Sequence, residues 1–374
     1  MKIASVTARV IAARPEKGVM FAIGLYDVFT LVLVEVRTED GLVGHGEAIA
    51  RRGTEMTKAA VEHLLAPVLV GKDARNIEGL WQDMHNRLRR WGHAYGVVIE
   101  AISGVDCALW DIAGKAAGQP VYRLLHGAGR SEVPVYASSV YIDDYDVMVA
   151  ETVEQVRQGF PTVKLKIGRT EAEGGMVADI ESVGRIRDAV GKQVQLTVDA
   201  NGAYDASTAI RIGRALEEFD VKWFEEPVAP DDIEGYRRIH AMTSTPLAAG
   251  ESHFGVIGFR PFINEGLLDY VQPDLGRCGG ITAAMQIYAL TFAMNRAFAP
   301  HTGFSGGLSQ LAAIHVAAAA THLDALEYMF IDNPARELFV GGYPTPHNGM
   351  LPVPDAPGLG LELDWELIDR FTVA

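Results

Sequence analysis

Eight short apolar segments recur at regular intervals after residue 126, and a stretch of helical character follows most of them. They are residues 133–137, 162–167, 194–199, 221–225, 246–250, 269–272, 296–299 and 325–328. Strands that alternate with helices pair in parallel, because each crossover helix returns the chain to the same end of the sheet. The pattern therefore predicts an α/β fold with a (β/α)8 barrel, a modified TIM barrel. Its functional side chains should lie at the carboxyl ends of the strands.

The first 125 residues have a different pattern. Residues 2–13, 28–37 and 42–48 are rich in apolar and β-branched residues, which predicts three strands. Between the last two, residues 39–41 read Glu-Asp-Gly, a sequence typical of hairpin turns. From about residue 55 the apolar period becomes helical. Spacings of three and four among Ile102, Val105, Leu109 and Ile112 predict an amphipathic helix that ends near Gly118 and Pro120.

These patterns divide the chain into three parts. We expect an α+β capping domain at residues 1–125 and the barrel domain at residues 126–344. The tail, residues 345–374, contains no further βα unit. We expect it to be a loop that returns to the capping domain and completes it.

Residues 15–26 form a predicted loop with unusual apolar content. It contains large apolar residues without clean periodicity: Val19, Met20, Phe21, Ile23, Leu25 and Tyr26. Such a loop either packs against the protein or covers a ligand. As a lid, it should close above the carboxyl ends of the barrel strands and bring Phe21 and Tyr26 to the substrate.

The overall charge restricts the partners. A formal net charge of −15 argues against binding to nucleic acid or to anionic membrane surfaces. Any anionic substrate must then be received by a local cluster of positive side chains.

Cys107 and Cys278 show no disulfide or metal-binding spacing, which is typical of core thiols in a cytoplasmic protein. No signal-peptide pattern and no apolar run long enough to span a bilayer occurs in the sequence.

Two lysines share one face of the second barrel strand. Successive side chains of a strand alternate between faces, so Lys164 and Lys166 point the same way, opposite to Val163 and Leu165. An exposed polar edge would explain these residues equally well. If they face the barrel interior, each ammonium should lower the pKa of the other, and one lysine could then act as a base.

Three carboxylates follow three consecutive barrel strands: Asp199, Glu225 and Glu251. Any one of them could cap the helix that comes after it. Together they would place three like charges in one confined site, which a hard divalent cation with oxygen ligands would relieve. Mg²⁺, one per site, is the predicted ion, with Glu226 behind the ligand Glu225.

Three further polar residues close the remaining strands. Asp274 and His301 follow the sixth and seventh strands, and Glu327 ends the eighth. An Asp beside a His fixes its tautomer and raises its basicity, so His301 is a candidate acid or base.

Taken together, these motifs resemble the enolase superfamily, in particular the mandelate racemase subgroup within the mandelate racemase/muconate lactonizing enzyme family. The resemblance rests on Lys164-x-Lys166, Asp199-x-Asn201, Glu225-Glu226-Pro227, Gly250-Glu251, Pro273-Asp274 and His301. It extends over nearly the whole chain, including residues 103–115 and 354–360.

The resemblance implies a division of roles. Asp199, Glu225 and Glu251 would bind Mg²⁺. Lys166 would be the base on one face of the substrate, and His301, oriented by Asp274, would act on the other. Lys164, Glu327 and, more weakly, Ser138 would hold the substrate carboxylate. The list of expected site residues is thus Lys164, Lys166, Asp274, His301, Glu327, Ser138, Phe21, Tyr26 and the three metal ligands.

Two reactions are compatible with this set. Removal of the proton α to a carboxylate can lead to dehydration of a sugar acid to a 2-keto-3-deoxy acid, which is our first interpretation. It can also lead to racemisation of a 2-hydroxy acid, which the apolar loop at residues 19–26 would suit better, because buried hydroxyls need hydrogen-bond partners. A non-catalytic binding protein is a third alternative, but no expected ligand or base is missing from the sequence.

The expected partners follow from the same resemblance. They are a small carboxylate substrate, a sugar acid in the first interpretation, and further copies of the chain in a homo-oligomer between a dimer and an octamer. Neither nucleic acid nor a membrane is expected as a partner.

Overall fold

The computed structural model describes residues 1–126 and 129–373, and leaves the side chains of His126 and Ser139 outside the description. Residues 127 and 128, which follow the predicted domain boundary, and Ala374 also lie outside the described residues. In the described chain, no helix is long and apolar enough to cross a membrane.

The strands, in chain order, are β1 (Ile3–Ala13), β2 (Val19–Phe21), β3 (Gly24–Tyr26), β4 (Phe29–Thr38), β5 (Val43–Ile49), β6 (Glu132–Val140), β7 (Thr162–Lys166), β8 (Gln195–Asp199), β9 (Val221–Glu225), β10 (Leu247–Ala249), β11 (Tyr270–Val271), β12 (Ala297–Phe298), β13 (Leu326–Met329) and β14 (Met350–Pro352). The α-helices are α1 (Thr54–Ala59), α2 (Ala66–Leu69), α3 (Ile77–Arg89), α4 (Val97–Ala117), α5 (Val121–His126), α6 (Tyr145–Arg157), α7 (Gly175–Val190), α8 (Ala206–Leu216), α9 (Ile233–Met242), α10 (Gly255–Asn264), α11 (Gly280–Ala293), α12 (Gly307–Ala319) and α13 (Trp365–Phe371). A π-helix, Ala60–Leu65, joins α1 to α2.

The amino-terminal unit is built on an antiparallel sheet in the order β1-β4-β5. The apolar face of this sheet packs against α4. Glycines make the approach close: a Cβ on Gly46 would lie 2.0 Å from the carbonyl oxygen of Gly104. No residue with a side chain fits there, so Gly46 and Gly104 set the distance between sheet and helix.

The predicted amphipathic helix is α4, and it is buried on nearly every side. Its second face packs against the barrel helix α11. There the Asp106 carboxylate accepts hydrogen bonds from the backbone N–H of Thr282 (2.9 Å) and from its hydroxyl (2.6 Å). The periodicity revealed the face toward the sheet. It did not reveal the face toward the barrel, because a polar residue supplies the contact there.

Residues 15–26 include a hairpin, so the prediction of an irregular loop was wrong. β2 and β3 pair antiparallel, with Phe21 opposite Gly24. Phe21 is buried, whereas Ile23 is 67% exposed and Leu25 55% exposed. The apolar residues of this hairpin therefore point both into the protein and into solvent, which explains their lack of simple periodicity.

The barrel strands β6–β13 are all parallel, in the order β12-β11-β10-β9-β8-β7-β6-β13. The ring closes through backbone hydrogen bonds from the N–H of Asp324 to the carbonyl of Phe298 (2.9 Å) and from the N–H of Glu327 to that of Pro300 (3.2 Å). Tyr136 and Trp223 pack inside the barrel with two small residues, Ala248 and Ala325. The predicted (β/α)8 barrel with an amino-terminal cap is confirmed.

One predicted βα unit lacks its helix. After β13, residues 330–364 are all described and contain no α-helix, and their only helical segment is a 3-10 turn at Pro334–Arg336. The tail is also more structured than predicted. β14 pairs antiparallel with β6, and α13 lies beside the cap, where the N–H of Val373 donates to the carbonyl of Val10 (2.9 Å). The tail thus contacts the first barrel strand before it reaches the cap.

Candidate active site

The polar residues that close the barrel strands lie together at the carboxyl end of the barrel. Parallel strands bring their carboxyl ends to one rim, so residues far apart in sequence become neighbours. Each of the predicted catalytic and metal-binding side chains is at most 4% exposed: Lys164, Lys166, Asp199, Glu225, Glu251, Asp274, His301 and Glu327. A cluster of buried charges of both signs is typical of a functional site.

Lys164 and Lys166 both point into the barrel, so the alternative of an exposed polar edge was wrong. The Nζ of Lys164 lies 2.8 Å from Glu225 Oε1 and 2.8 Å from Glu327 Oε1. Lys166 forms a short ion pair with Asp199.

Carboxylates surround Lys164 and determine the direction of its pKa shift. Burial alone would lower the pKa of Lys164, but Glu225 and Glu327 outweigh burial and raise it well above the ordinary value. The net shift is therefore a rise, opposite in direction to the lowering expected from the neighbouring ammonium. Lys164 is a fixed positive charge, suited to holding an anion.

Glu225 lies in a network of three donors. Its Oε1 accepts from Lys164, and its Oε2 accepts from the indole N–H of Trp223 (3.0 Å) and the side-chain amide of Gln272 (2.8 Å). Burial raises the pKa of Glu225 to about 7, although Lys164 opposes this rise. The barrel interior thus engages both oxygens of Glu225.

Glu251 joins the barrel to the cap. Its Oε2 lies 2.6 Å from His301 Nε2, and its Oε1 accepts a hydrogen bond of 2.8 Å from Nη1 of Arg51, just after β5. Burial alone would raise the pKa of Glu251, but Arg51 and His301 lower it well below the ordinary value. Glu251 is therefore a carboxylate with two cationic partners.

His301 is held on both ring nitrogens. Its Nδ1 lies 2.7 Å from Asp274 Oδ2, and its Nε2 also lies 3.3 Å from Glu327 Oε2. Burial alone would lower the pKa of His301, but Glu327, Glu251 and Asp274 raise it to about 10. The surrounding carboxylates thus favour the protonated imidazole.

The three predicted metal ligands, Asp199, Glu225 and Glu251, supply the oxygen atoms that a divalent cation prefers. Each of them already contacts another side chain of the protein. Within residues 1–126 and 129–373, no three metal-ligating side chains surround a single point. The Oε1 of Glu226, however, is buried and has no hydrogen-bond partner among the described residues. Burial, and then the charges of Glu251 and Asp199, raise the pKa of Glu226 well above the ordinary value. Such a surplus of buried carboxylate is the environment that a hard cation relieves.

The β2–β3 hairpin, which ends at Tyr26, lies over this rim. The ring of Phe21 is centred 5.1 Å from Lys166 Nζ, and it packs 4.5 Å from the ring of Phe304. Tyr26 also packs against Phe304, at 4.1 Å between ring centroids. Ser138, two residues before the end of β6, is buried, and its hydroxyl has no hydrogen-bond partner within the described chain.

Three residues at the site had no assigned role in the sequence interpretation. Trp223 and Gln272 hold Glu225, and strand alternation could have identified both, because each lies two residues from another inward-facing side chain. Phe304 links Phe21 to Tyr26 from a left-handed backbone conformation (φ 58°). Nothing in the local sequence marks it.

Comparisons with known proteins assign the chain to a family. The model "Mandelate racemase / muconate lactonizing enzyme, N-terminal domain" matches residues 5–126, and "Enolase C-terminal domain-like" matches residues 147–367. The chain is 32% identical to D-galactarolactone cycloisomerase from Agrobacterium fabrum over 99% of both chains. It is 35% identical to arabinonate dehydratase from Saccharolobus solfataricus over 88% of this chain and 87% of that protein.

A solved structure agrees with these matches. The structure of a racemase from Streptomyces coelicolor with bound magnesium is 29% identical, covers 99% of this chain and 100% of its own, and superposes with a TM-score of 0.89. The relatives are dehydratases and cycloisomerases, so the chain groups with lyases and isomerases. The chain is a member of the mandelate racemase/muconate lactonizing enzyme family of the enolase superfamily.

Proposed function

We propose that this protein removes the proton α to a carboxylate and dehydrates a 2,3-dihydroxy sugar acid to a 2-keto-3-deoxy acid. The observation that carries the proposal is the position of Lys166 and His301. Lys166 ends β7 and His301 follows β12, and the strands β8–β11 between them each lead into a carboxylate of the cluster. The names of the relatives, which include a sugar-acid dehydratase, favour the same reaction.

Lys164 would hold the substrate carboxylate, and Glu327 would orient it through its contact with Lys164. Lys164 is a buried cation that already contacts two carboxylates, so it can exchange one of them for a substrate oxygen. Glu327 is fixed by the N–H of Thr302, which donates to its Oε2 (2.9 Å). Positive charge held at the carboxylate in advance stabilises the second negative charge that develops there.

Asp199, Glu225 and Glu251 would hold Mg²⁺. When bound, the ion supplies positive charge at the substrate carboxylate, which makes the α-proton more acidic. The oxygen-rich ligand set favours Mg²⁺ over softer metals.

Two protein side chains transfer protons in the proposed reaction. Lys166, as the neutral amine, takes the proton from C2, and the electrons of that bond move into the carboxylate to form an enediolate. The hydroxyl on C3 then leaves as water with a proton from His301, and the resulting enol becomes the 2-keto acid when C3 takes up a proton and the hydroxyl on C2 loses one. Asp274 keeps the imidazole oriented for this transfer through the 2.7 Å contact to Nδ1.

The test is a screen of sugar acids with the Mg²⁺-loaded protein, in which 2-keto acid is detected chemically. Conversion of at least one 2,3-dihydroxy acid is expected, and Lys166→Ala and His301→Asn should each abolish it. Should the protein racemise a 2-hydroxy acid and dehydrate none of the sugar acids, the dehydratase assignment is wrong.

Racemisation or epimerisation is the second candidate, and the aromatic side chains above Lys166 favour it. Phe21, Tyr26 and Phe304 present aromatic surface, which suits an apolar substituent better than a row of hydroxyls. In either reaction the substrate is a small carboxylate. Assembly into a homo-oligomer stays a prediction.

A further inference from the structure

Arg51 reaches from the cap into the active site. It follows β5, and its Nη1 donates to Glu251 Oε1 (2.8 Å). The guanidinium carbon lies 5.7 Å from the centroid of the Phe304 ring, which supports it from one side. Arg51 is thus held in place by one carboxylate and one aromatic ring.

The other edge of the guanidinium is free. The Nε and Nη2 atoms of Arg51 are buried and have no hydrogen-bond partner in the described part of the chain. Burying such donors without an acceptor is unfavourable, and more so when the group is charged. Glu226 and Asp274 are close enough to influence the charge of Arg51, yet neither accepts from this edge.

The geometry of this edge selects its ligand. The N–H groups on Nε and Nη2 of a guanidinium are parallel and coplanar, and they match the two oxygens of a carboxylate. A hydroxyl or a single carbonyl would leave one of the two donors unpaired. Of the groups that a sugar acid carries, a carboxylate therefore satisfies this edge best.

Arg51 and Lys164 lie at the two ends of one row of charged side chains. Lys164 contacts Glu327, Glu327 contacts His301, His301 contacts Glu251, and Glu251 contacts Arg51. Lys164 would receive the carboxylate next to the reacting carbon. Three charged side chains thus separate Arg51 from Lys164, and a substrate held at Lys164 would have to extend along this row to reach Arg51.

We propose that Arg51 binds a second carboxylate at the far end of the substrate, so that the protein acts on a sugar diacid. The inference rests on the proposed function for the identity of the reacting end. Arg51 would be a specificity-determining residue and would take no part in the proton transfers.

The experiment compares two sugar acids that differ only at the terminal carbon, galactarate with a carboxylate and galactonate with CH₂OH. The measured quantity is the ratio of kcat/KM for galactarate to kcat/KM for galactonate. We expect wild-type protein to favour galactarate. Arg51→Lys should lower the ratio at least tenfold, because lysine keeps the charge beside Glu251 but lacks the two parallel N–H donors of the guanidinium. Any loss that comes only from a disturbed Glu251 affects both substrates and cancels in the ratio.

Arg52→Gln is the matched control. Arg52 is exposed and adjacent in sequence, and this change removes one positive charge from the same segment. The ratio should stay at its wild-type value. An equal change in Arg51→Lys and Arg52→Gln would mean that the preference does not depend on the paired donors of Arg51, and would overturn the inference.

Binding calorimetry separates this inference from the proposed reaction. If neither acid is converted, the dehydratase assignment fails for this pair, but galactarate should still bind wild-type protein at least tenfold more tightly than galactonate. Arg51→Lys should remove that difference. Equal binding of the two acids, or no binding of galactarate, would refute the role of Arg51.

Discussion

His315 offers a quantitative test of how the barrel is joined to its neighbours. It lies in α12 and is fully buried. Its Nδ1 accepts from the backbone N–H of Tyr122 in α5 (3.3 Å), and its Nε2 donates to the carbonyl of Leu359 in the tail (3.1 Å). These partners require the neutral ring with the proton on Nε2. Burial lowers the pKa of His315 to about 4, although the Leu359 carbonyl and Asp111 oppose this fall.

The sign of the pH effect follows from the two pKa values. An unfolded histidine titrates near 6.5, above the folded value, so the unfolded chain binds the proton more readily. The contribution of neutral His315 to stability is therefore complete above pH 6.5 and is lost as the pH falls toward 4. At about 1.4 kcal/mol per pKa unit, the full loss is about 3 kcal/mol, and the loss at about pH 5 is about 2 kcal/mol.

The assay is urea unfolding of wild-type protein and His315→Gln at about pH 7.5 and about pH 5. Glutamine can accept and donate hydrogen bonds but does not titrate. The decrease in the free energy of unfolding between the two pH values should be smaller in the variant by about 2 kcal/mol. His63→Gln, at an exposed position of the cap, should leave the decrease as in wild type. An unchanged decrease in His315→Gln, or an imidazole NMR titration of His315 near 6.5 in the folded protein, would refute the reasoning.

Three further predictions concern the site and the cap. Lys166→Ala and His301→Asn should each lower dehydration at least about 10²-fold; if the enzyme is a racemase, each should instead stop α-proton exchange in deuterated water for one enantiomer only. Chelation of the metal should abolish turnover, and Glu225→Gln should weaken Mg²⁺ binding by calorimetry more than Glu226→Gln, the reverse result making Glu226 the ligand. Gly46→Ala should lower the free energy of unfolding in urea by about 1–3 kcal/mol, because its methyl group has no space beside α4; wild-type stability would show that the sheet and helix can separate freely.

Much of the architecture could be predicted from local pattern. The eight barrel strands were predicted close to their observed positions, because apolar runs bounded by turns and helices report directly on alternating βα units. The polar residues at the strand ends could also be grouped in advance, since parallel strands share one rim. The errors occurred where the periodicity of apolar residues gives no signal. The three-residue strands β2 and β3 are too short to show alternation, and the missing helix after β13 could not be inferred from its strand.

The partners of the charged residues were decided by the tertiary structure. The sequence alone determined that Lys164 and Lys166 share a face, because strand alternation is local. It could not determine that Lys164 lies between Glu225 and Glu327, two carboxylates that only barrel closure brings within 2.8 Å of its ammonium. That placement reverses the direction of its pKa shift. Electrostatic interactions in a buried site depend on distances of a few ångströms, and such distances are set by the ring of strands as a whole.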